Sequence, residues 1–100
     1  MTAYVISEVE VLNEDQRRRY RELAADSIAR HGGRHIVRGA EPDVAEGAWP
    51  KGQRVVVVEF PDIDRLRAWY TSDDYAEALA VRRTGLARRL LFVEGVTPSS

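Results

Sequence analysis

Apolar residues recur along this chain at two spacings, every second position or every third to fourth, and the switches between them mark its elements. Residues 3–11 (Ala-Tyr-Val-Ile-Ser-Glu-Val-Glu-Val) alternate after Ile6 and are rich in β-branched side chains, which predicts a first strand. Asn13 then stands as a helix N-cap, with Gln16 in capping-box position and Glu14 and Asp15 in the first turn. Tyr20, Leu23, Ala24, Ser27, Ile28 and His31 recur at helical steps and form its inward stripe, and Gly32-Gly33 stops it. Residues 34–39 predict a second strand. A turn-rich connection follows, Glu41–Gly52, in which Val44–Glu46 is the piece that would prolong the strand past a bulge.

Four consecutive valines in Arg54–Phe60 predict a third strand. Pro61-Asp62 opens a helix with Leu66, Trp69 and Tyr70 on one side. Ser72 reads as a fresh N-cap, so that helix breaks near Thr71 and resumes from Asp73 to about Thr84, with Tyr75, Ala78, Leu79 and Arg82 as its stripe. Gly85 ends it, and Arg89–Val96 is the last strand. The order β-α-β-β-α-β is the split βαβ arrangement of an α+β, ferredoxin-like sandwich. Right-handed crossovers put both helices on one face of a four-stranded antiparallel sheet. One domain over residues 1–96 is expected, with 97–100 as a flexible tail.

Two helices cover one face of such a sheet. A face left to water should alternate apolar and polar positions. The Val55–Val58 run, Leu90–Val93 and Tyr4–Ile6 do not alternate. The uncovered face is therefore expected to carry Ile6, Val56, Val58 and either Leu90 with Phe92 or Leu91 with Val93. A patch of that size predicts a homodimer closed sheet on sheet, unless the Glu41–Gly52 connection or the tail folds over it.

Composition narrows the function classes. The chain has 15 basic and 16 acidic residues, a net charge of −1, and no cysteine. Disulfides, thiolate metal sites and a thiol nucleophile are excluded. No leader or apolar span of membrane length precedes the first strand, so a cytoplasmic protein without membrane partners is expected. Arg17, Arg18, Arg19 and Arg21 point around a helix, and Glu14 with Arg18 and Asp15 with Arg19 are spaced as ion pairs, which argues for a solvated face and against nucleic acid. His31 and His35 have metal-ligand spacing, but Gly32-Gly33 separates them onto different elements and no third ligand is placed, so no metal or cofactor is expected.

Charges inside strands are more informative, because buried ones need partners. Glu8 and Glu10 share a face of the first strand, Arg34 and Arg38 one of the second. Glu59 lies opposite the Val56/Val58 face, and Glu94 is in the last strand. They are either structural ion pairs at a dimer seam or the makings of a site. In the second case Arg38 binds a carboxylate or enolate oxygen and Glu59 takes a proton, with His35 a further candidate. Trp69 and Tyr75, at helical core spacing, are either packing residues or part of a ligand pocket, and Trp49, beside Pro50 in the long connection, either covers the pocket mouth or docks on the other subunit.

Several segments together resemble the DUF1330 family: Ala3-Tyr4-Val5-Ile6, Gly32-Gly33-Arg34 with Val37-Arg38-Gly39, and Glu46-Gly47-x-Trp49-Pro50. Val57-Val58-Glu59-Phe60-Pro61, Ala68-Trp69-Tyr70-x-Ser72-x-x-Tyr75 and Val93-Glu94-Gly95-Val96 continue it in the family's order. The resemblance implies a dimeric α/β-barrel subunit of ferredoxin-like fold. It implies no catalytic residue, since the family's function is unknown, and fold kinship does not choose among its distant neighbours. Three readings follow: a homodimer binding a small anionic or aromatic molecule between sheet and helices; a cofactor-independent monooxygenase or isomerase using Glu59, Arg38, His35 and Tyr75; or a purely structural dimer. The oxygenases of this superfamily often place an Asn in the pocket, whereas the only Asn here, Asn13, caps a helix.

Overall fold

The computed structural model describes residues 1–96; the tail expected at 97–100 lies outside the described residues. Its elements are β1 (Ala3–Val11), α1 (Glu14–Arg30), β2 (Arg34–Ala40), β3 (Arg54–Phe60), α2 (Ile63–Tyr70), α3 (Asp73–Gly85) and β4 (Leu86–Glu94). The strands form one antiparallel sheet in the order β2-β3-β1-β4. This is the expected ferredoxin-like arrangement, with the second helix in two pieces.

Local chemistry sets each boundary. The Asn13 side chain accepts from the Gln16 backbone N–H at 3.0 Å, Asp62 from Arg65 at 2.7 Å and Ser72 from Tyr75 at 3.2 Å, so each helix starts on a side-chain cap. After α1 the backbone turns through Gly32 at φ +79°, and Gly33 lies so close to the core that a Cβ there would sit 2.7 Å from the Phe60 ring. The expected i,i+4 pairs on α1 are replaced by i,i+3 pairs, Glu14 with Arg17 and Asp15 with Arg18, leaving Arg19 to reach Glu77 on α3. Residues Val44–Glu46 do not prolong β2. The irregularities fall inside it instead, between His35 and Val37 and again between Arg38 and Ala40, where Gly39 takes φ +76°.

The core is centred on Phe60, Leu66, Trp69, Tyr75 and Ala78, all at most 1% exposed, closed by Ala3, Val5 and Val58 from the sheet and Ala24 and Ile28 from α1. Trp69 lies 4.2 Å from Tyr75 and 5.4 Å from Phe60, ring to ring, and its indole N–H donates to Ser27 Oγ at 3.0 Å. The ladder then fixes which side chains share a face, because residues directly opposite in a pair point the same way. Val5, Ser7 and Val9 of β1 lie beside Val58 and Val56 of β3 and beside Phe92, Leu90 and Arg88 of β4, all under the helices. The open face carries Tyr4, Ile6 and Glu8, Val55, Val57 and Glu59, and Arg89, Leu91 and Val93.

The expected phase of β3 is thereby reversed. Val56 and Val58 are on the covered face, and Val55 and Val57 occupy the open one. Four valines in a row carry no information on phase. It is set by Phe60, which pairs with Ala3 and must bury its ring against Trp69. Of the two alternatives for β4, Leu91 with Val93 faces outward, and Phe92 turns to Tyr70 at 5.4 Å. Leu91 and Val93 remain 47% and 42% exposed.

Candidate functional site

At the end of the helix–sheet layer away from Phe60, α1 and the sheet do not close on each other. They enclose a cleft of about 690 Å³. Its floor is ordered in cross-strand rows: Val5–Val58–His35, then Leu90–Ser7–Val56–Arg38, then Arg88–Val9–Arg54. Its roof is the Arg17–Ile28 part of α1, including Tyr20, Ala24 and Ala25. Adjacent strands lie about 4.8 Å apart, so the Arg88 and Arg54 backbones flank Val9 at roughly 10 Å from each other. The cleft is thus apolar along its middle and cationic at both sheet edges.

Arg88 is the most constrained of these cations. It projects from β4 beneath α1 and donates to the hydroxyls of Tyr20 at 2.6 Å and Tyr75 at 2.7 Å, and those hydroxyls share a hydrogen bond of 2.7 Å. Its guanidinium also sits 5.3 Å from the centre of the Tyr20 ring. Burial works against the Arg88 charge, but the two phenolic oxygens outweigh it and hold the guanidinium more firmly protonated than usual. Burial, then the neighbouring Tyr20, pushes the Tyr75 hydroxyl far above the ordinary tyrosine range, so it stays neutral. Among the described residues no carboxylate pairs with Arg88, and Arg38 and Arg54 are likewise without an ion pair. Only Arg17 at the mouth is answered, by Glu14.

Ser7 adds a second unmatched group. It is 3% exposed, faces the cleft from the middle of β1, and its hydroxyl has no hydrogen-bond partner. A buried hydroxyl left unpaired costs about 1–3 kcal/mol, so its place between Leu90 and Val56 calls for a reason. His35, at the other edge, is held below the ordinary histidine range by burial first and by Arg38 second, which favours a neutral imidazole.

The structure brings some of the expected site residues together and separates others. His35 and Arg38 both line the cleft. Glu59 does not: it pairs in register with Arg34 on the open face, and the two form an ion pair at 3.4 Å. The irregularity at Ile36 is the reason Arg34 and Arg38, two turns of the pleat apart, end on opposite faces. Trp69 is a core residue that reaches the cleft along one edge, and Tyr75 is fully buried with only its hydroxyl tied to Arg88. Trp49 lies elsewhere. Its indole N–H donates to the Gln53 carbonyl at 3.1 Å, and it borders a separate hollow with Glu8 and Arg89, the open-face pair 3.6 Å apart. His31 caps α1, donating from Nδ1 to the Ser27 carbonyl, away from His35. Among the described residues no three His, Asp or Glu side chains converge as a metal site would need. No helix among them is long and apolar enough to cross a membrane.

Sequence reading missed Arg88, Tyr20 and Ser7 as site residues. The signal was present in β4, where Leu86, Arg88, Leu90 and Phe92 alternate as one apolar face interrupted by a charge. Starting that strand at Arg89 hid it.

The model of the DUF1330 family, a domain of unknown function, matches residues 2–96. The chain belongs to the DUF1330 family. No curated protein matches it by sequence. Among solved structures, RPA0582, a protein of unknown function from Rhodopseudomonas palustris, is similar with a TM-score of 0.77 and 16% identity, covering 97% of this chain and 84% of that one. SnoaB, a cofactor-independent oxygenase from Streptomyces nogalater, has a TM-score of 0.73 and 14% identity, covering 96% of this chain and 94% of that one. A dimeric ferredoxin-like protein of unknown function from Thermobifida fusca has a TM-score of 0.63 and 18% identity, covering 92% and 89%. At these identities the likeness of this DUF1330 member to its neighbours is one of fold.

Proposed function

We propose that the cleft between α1 and the sheet binds a small molecule with an apolar, ring-sized body and an anionic oxygen. Arg88 carries this reading: a largely buried cation, held in place by the hydroxyls of Tyr20 and Tyr75, lies at the floor of the cavity with no carboxylate in ion-pair contact, the Glu10 and Glu14 of the lining included. The valine rows supply the apolar wall, and Arg38 and Arg54 extend the positive potential along the opposite edge. A thermal-shift series with benzoate, salicylate, cinnamate and their neutral alcohols tests it. Carboxylates should raise the melting temperature with concentration, because a ligand that binds only the folded chain stabilises it, and Arg88→Met should abolish the rise. Neutral alcohols stabilising as well as the acids would remove the anionic part of the reading.

Two copies of the chain pack open face to open face in the same proposal. The exposed Leu91 and Val93 beside Ile6, Val55 and Val57 support this, as does the description of the Thermobifida fusca neighbour as dimeric. Light scattering should give twice the 11.3 kDa chain mass. A cytoplasmic setting accords with the absence of cysteine. The enzyme reading loses its proposed acid–base pair, because Arg38 and Glu59 lie on opposite faces of the sheet.

A further inference from the structure

The hydroxyls of Tyr20 and Tyr75 share one hydrogen bond, and each oxygen also accepts from Arg88. Two hydroxyls have two protons, and one shared bond uses one. The other must point away from the pair. If it belonged to Tyr75, it would be stranded, because Tyr75 is fully buried and touches no further acceptor. If it belongs to Tyr20, it projects from a side chain that lines the cleft. The cost of an unmet buried donor therefore selects one direction: Tyr75 donates to Tyr20, and Tyr20 donates into the cleft. Ser7, one pleat from Arg88 along the same face, offers a second unused hydroxyl. Arg88 spends two of its five N–H groups on the tyrosines and keeps the rest.

We propose that Tyr20, Ser7 and Arg88 form a single oxyanion anchor that takes a ligand carboxylate, with Tyr75 as a positioning residue that fixes the direction of the Tyr20 proton. The inference rests on the cleft being a ligand site. It adds which atoms hold the ligand and why a carboxylate is preferred: Arg88 offers a positive charge and N–H donors only, which a carboxylate answers with two charged acceptor oxygens and an amide with one neutral oxygen.

The test is benzoate against benzamide, by titration calorimetry and by the Arg88 Nε–H signal in NMR, on the wild type and three variants. Ser7→Ala should leave the melting temperature of the free protein unchanged or raised, since it removes an unmet hydroxyl, yet weaken benzoate about three- to tenfold. Tyr20→Phe should weaken benzoate about tenfold and collapse its preference over benzamide. Tyr75→Phe should lower the melting temperature but keep most of that preference. Wild-type benzoate affinity in both Ser7→Ala and Tyr20→Phe overturns the anchor, and loss of preference in Tyr75→Phe alone reverses the proton assignment. Equal binding of benzamide and benzoate by the wild type overturns the anchor while leaving a ligand cleft. Acetate, which has the oxyanion without the body, separates the remaining case. If acetate moves the Arg88 signal and no aromatic acid binds, the anchor stands and the ring-sized cleft falls; if neither acts, both fall.

Discussion

The two faces of the sheet handle charge in opposite ways. On the open face most charges are matched within the chain: Glu59 meets Arg34 and Glu8 meets Arg89, Glu10 lies exposed at the far end of β1, and apolar side chains fill the middle. On the covered face Arg88, Arg38 and Arg54 border one cavity without a carboxylate partner, and Ser7 has no partner at all. A surface whose charges already cancel can be buried against an identical surface at little electrostatic cost. A cavity whose charges do not cancel is complementary to something carrying the missing sign. The first pattern suits self-association and the second suits a small ligand, in one domain and on one sheet.

The comparison breaks most visibly at Leu91. Leu91→Asp places an unpaired carboxylate beside Ile6 on the apolar part of the open face and should raise the dimer dissociation constant by more than about 100-fold, seen by light scattering as the single-chain mass. Ligand binding in the cleft should persist in that monomer. Next in size, Arg88→Met should weaken benzoate at least about tenfold while leaving the melting temperature level or higher, because an apolar side chain of similar volume replaces a cation without a carboxylate. A large fall in melting temperature instead would make Arg88 a structural residue. Glu59→Gln removes an exposed ion pair and should cost less than about 1 kcal/mol by denaturant titration, with benzoate affinity unchanged. A loss of binding there would join the two faces functionally.

The smallest effect concerns His35. Its folded state favours the neutral imidazole, so the unfolded chain takes up a proton at higher pH than the folded one. Stability should therefore fall as pH drops through the ordinary histidine range and level off below the folded value. His35→Gln should flatten that part of the curve in denaturant midpoints measured between pH 7.5 and 5.

The element order was legible because helix caps and spacing are local. Asn13, Asp62 and Ser72 each cap the helix they precede, and the break at Thr71 lies between two of them. The sites were less legible, because face assignment in a strand depends on a count of single residues. One extra residue at Ile36 sends Arg34 and Arg38 to opposite faces, and a phase change of one in the valine run carries Glu59 out of the cleft. Trp49, a large aromatic in a loop beside Pro50, is expected at the pocket mouth or on the other subunit; its indole N–H is satisfied by Gln53 four residues on, and the connection folds beside Glu8.

The pattern of apolar spacing by itself determined that two kinds of helix-covered and exposed sheet face exist, and that the exposed one is too apolar for water. It did so because periodicity and capping act within a few residues. Only the tertiary structure decided which valines belong to which face and which charges meet. Those choices follow from the Phe60 ring packing on Trp69 and from the irregular register of β2, contacts between segments distant in the chain. Arg88, Tyr20 and Tyr75 are the plainest case. They come from β4, α1 and α3; alternation in β4 marks Arg88 as a charge on an apolar face, but only the packed sheet and helices bring it against the two hydroxyls.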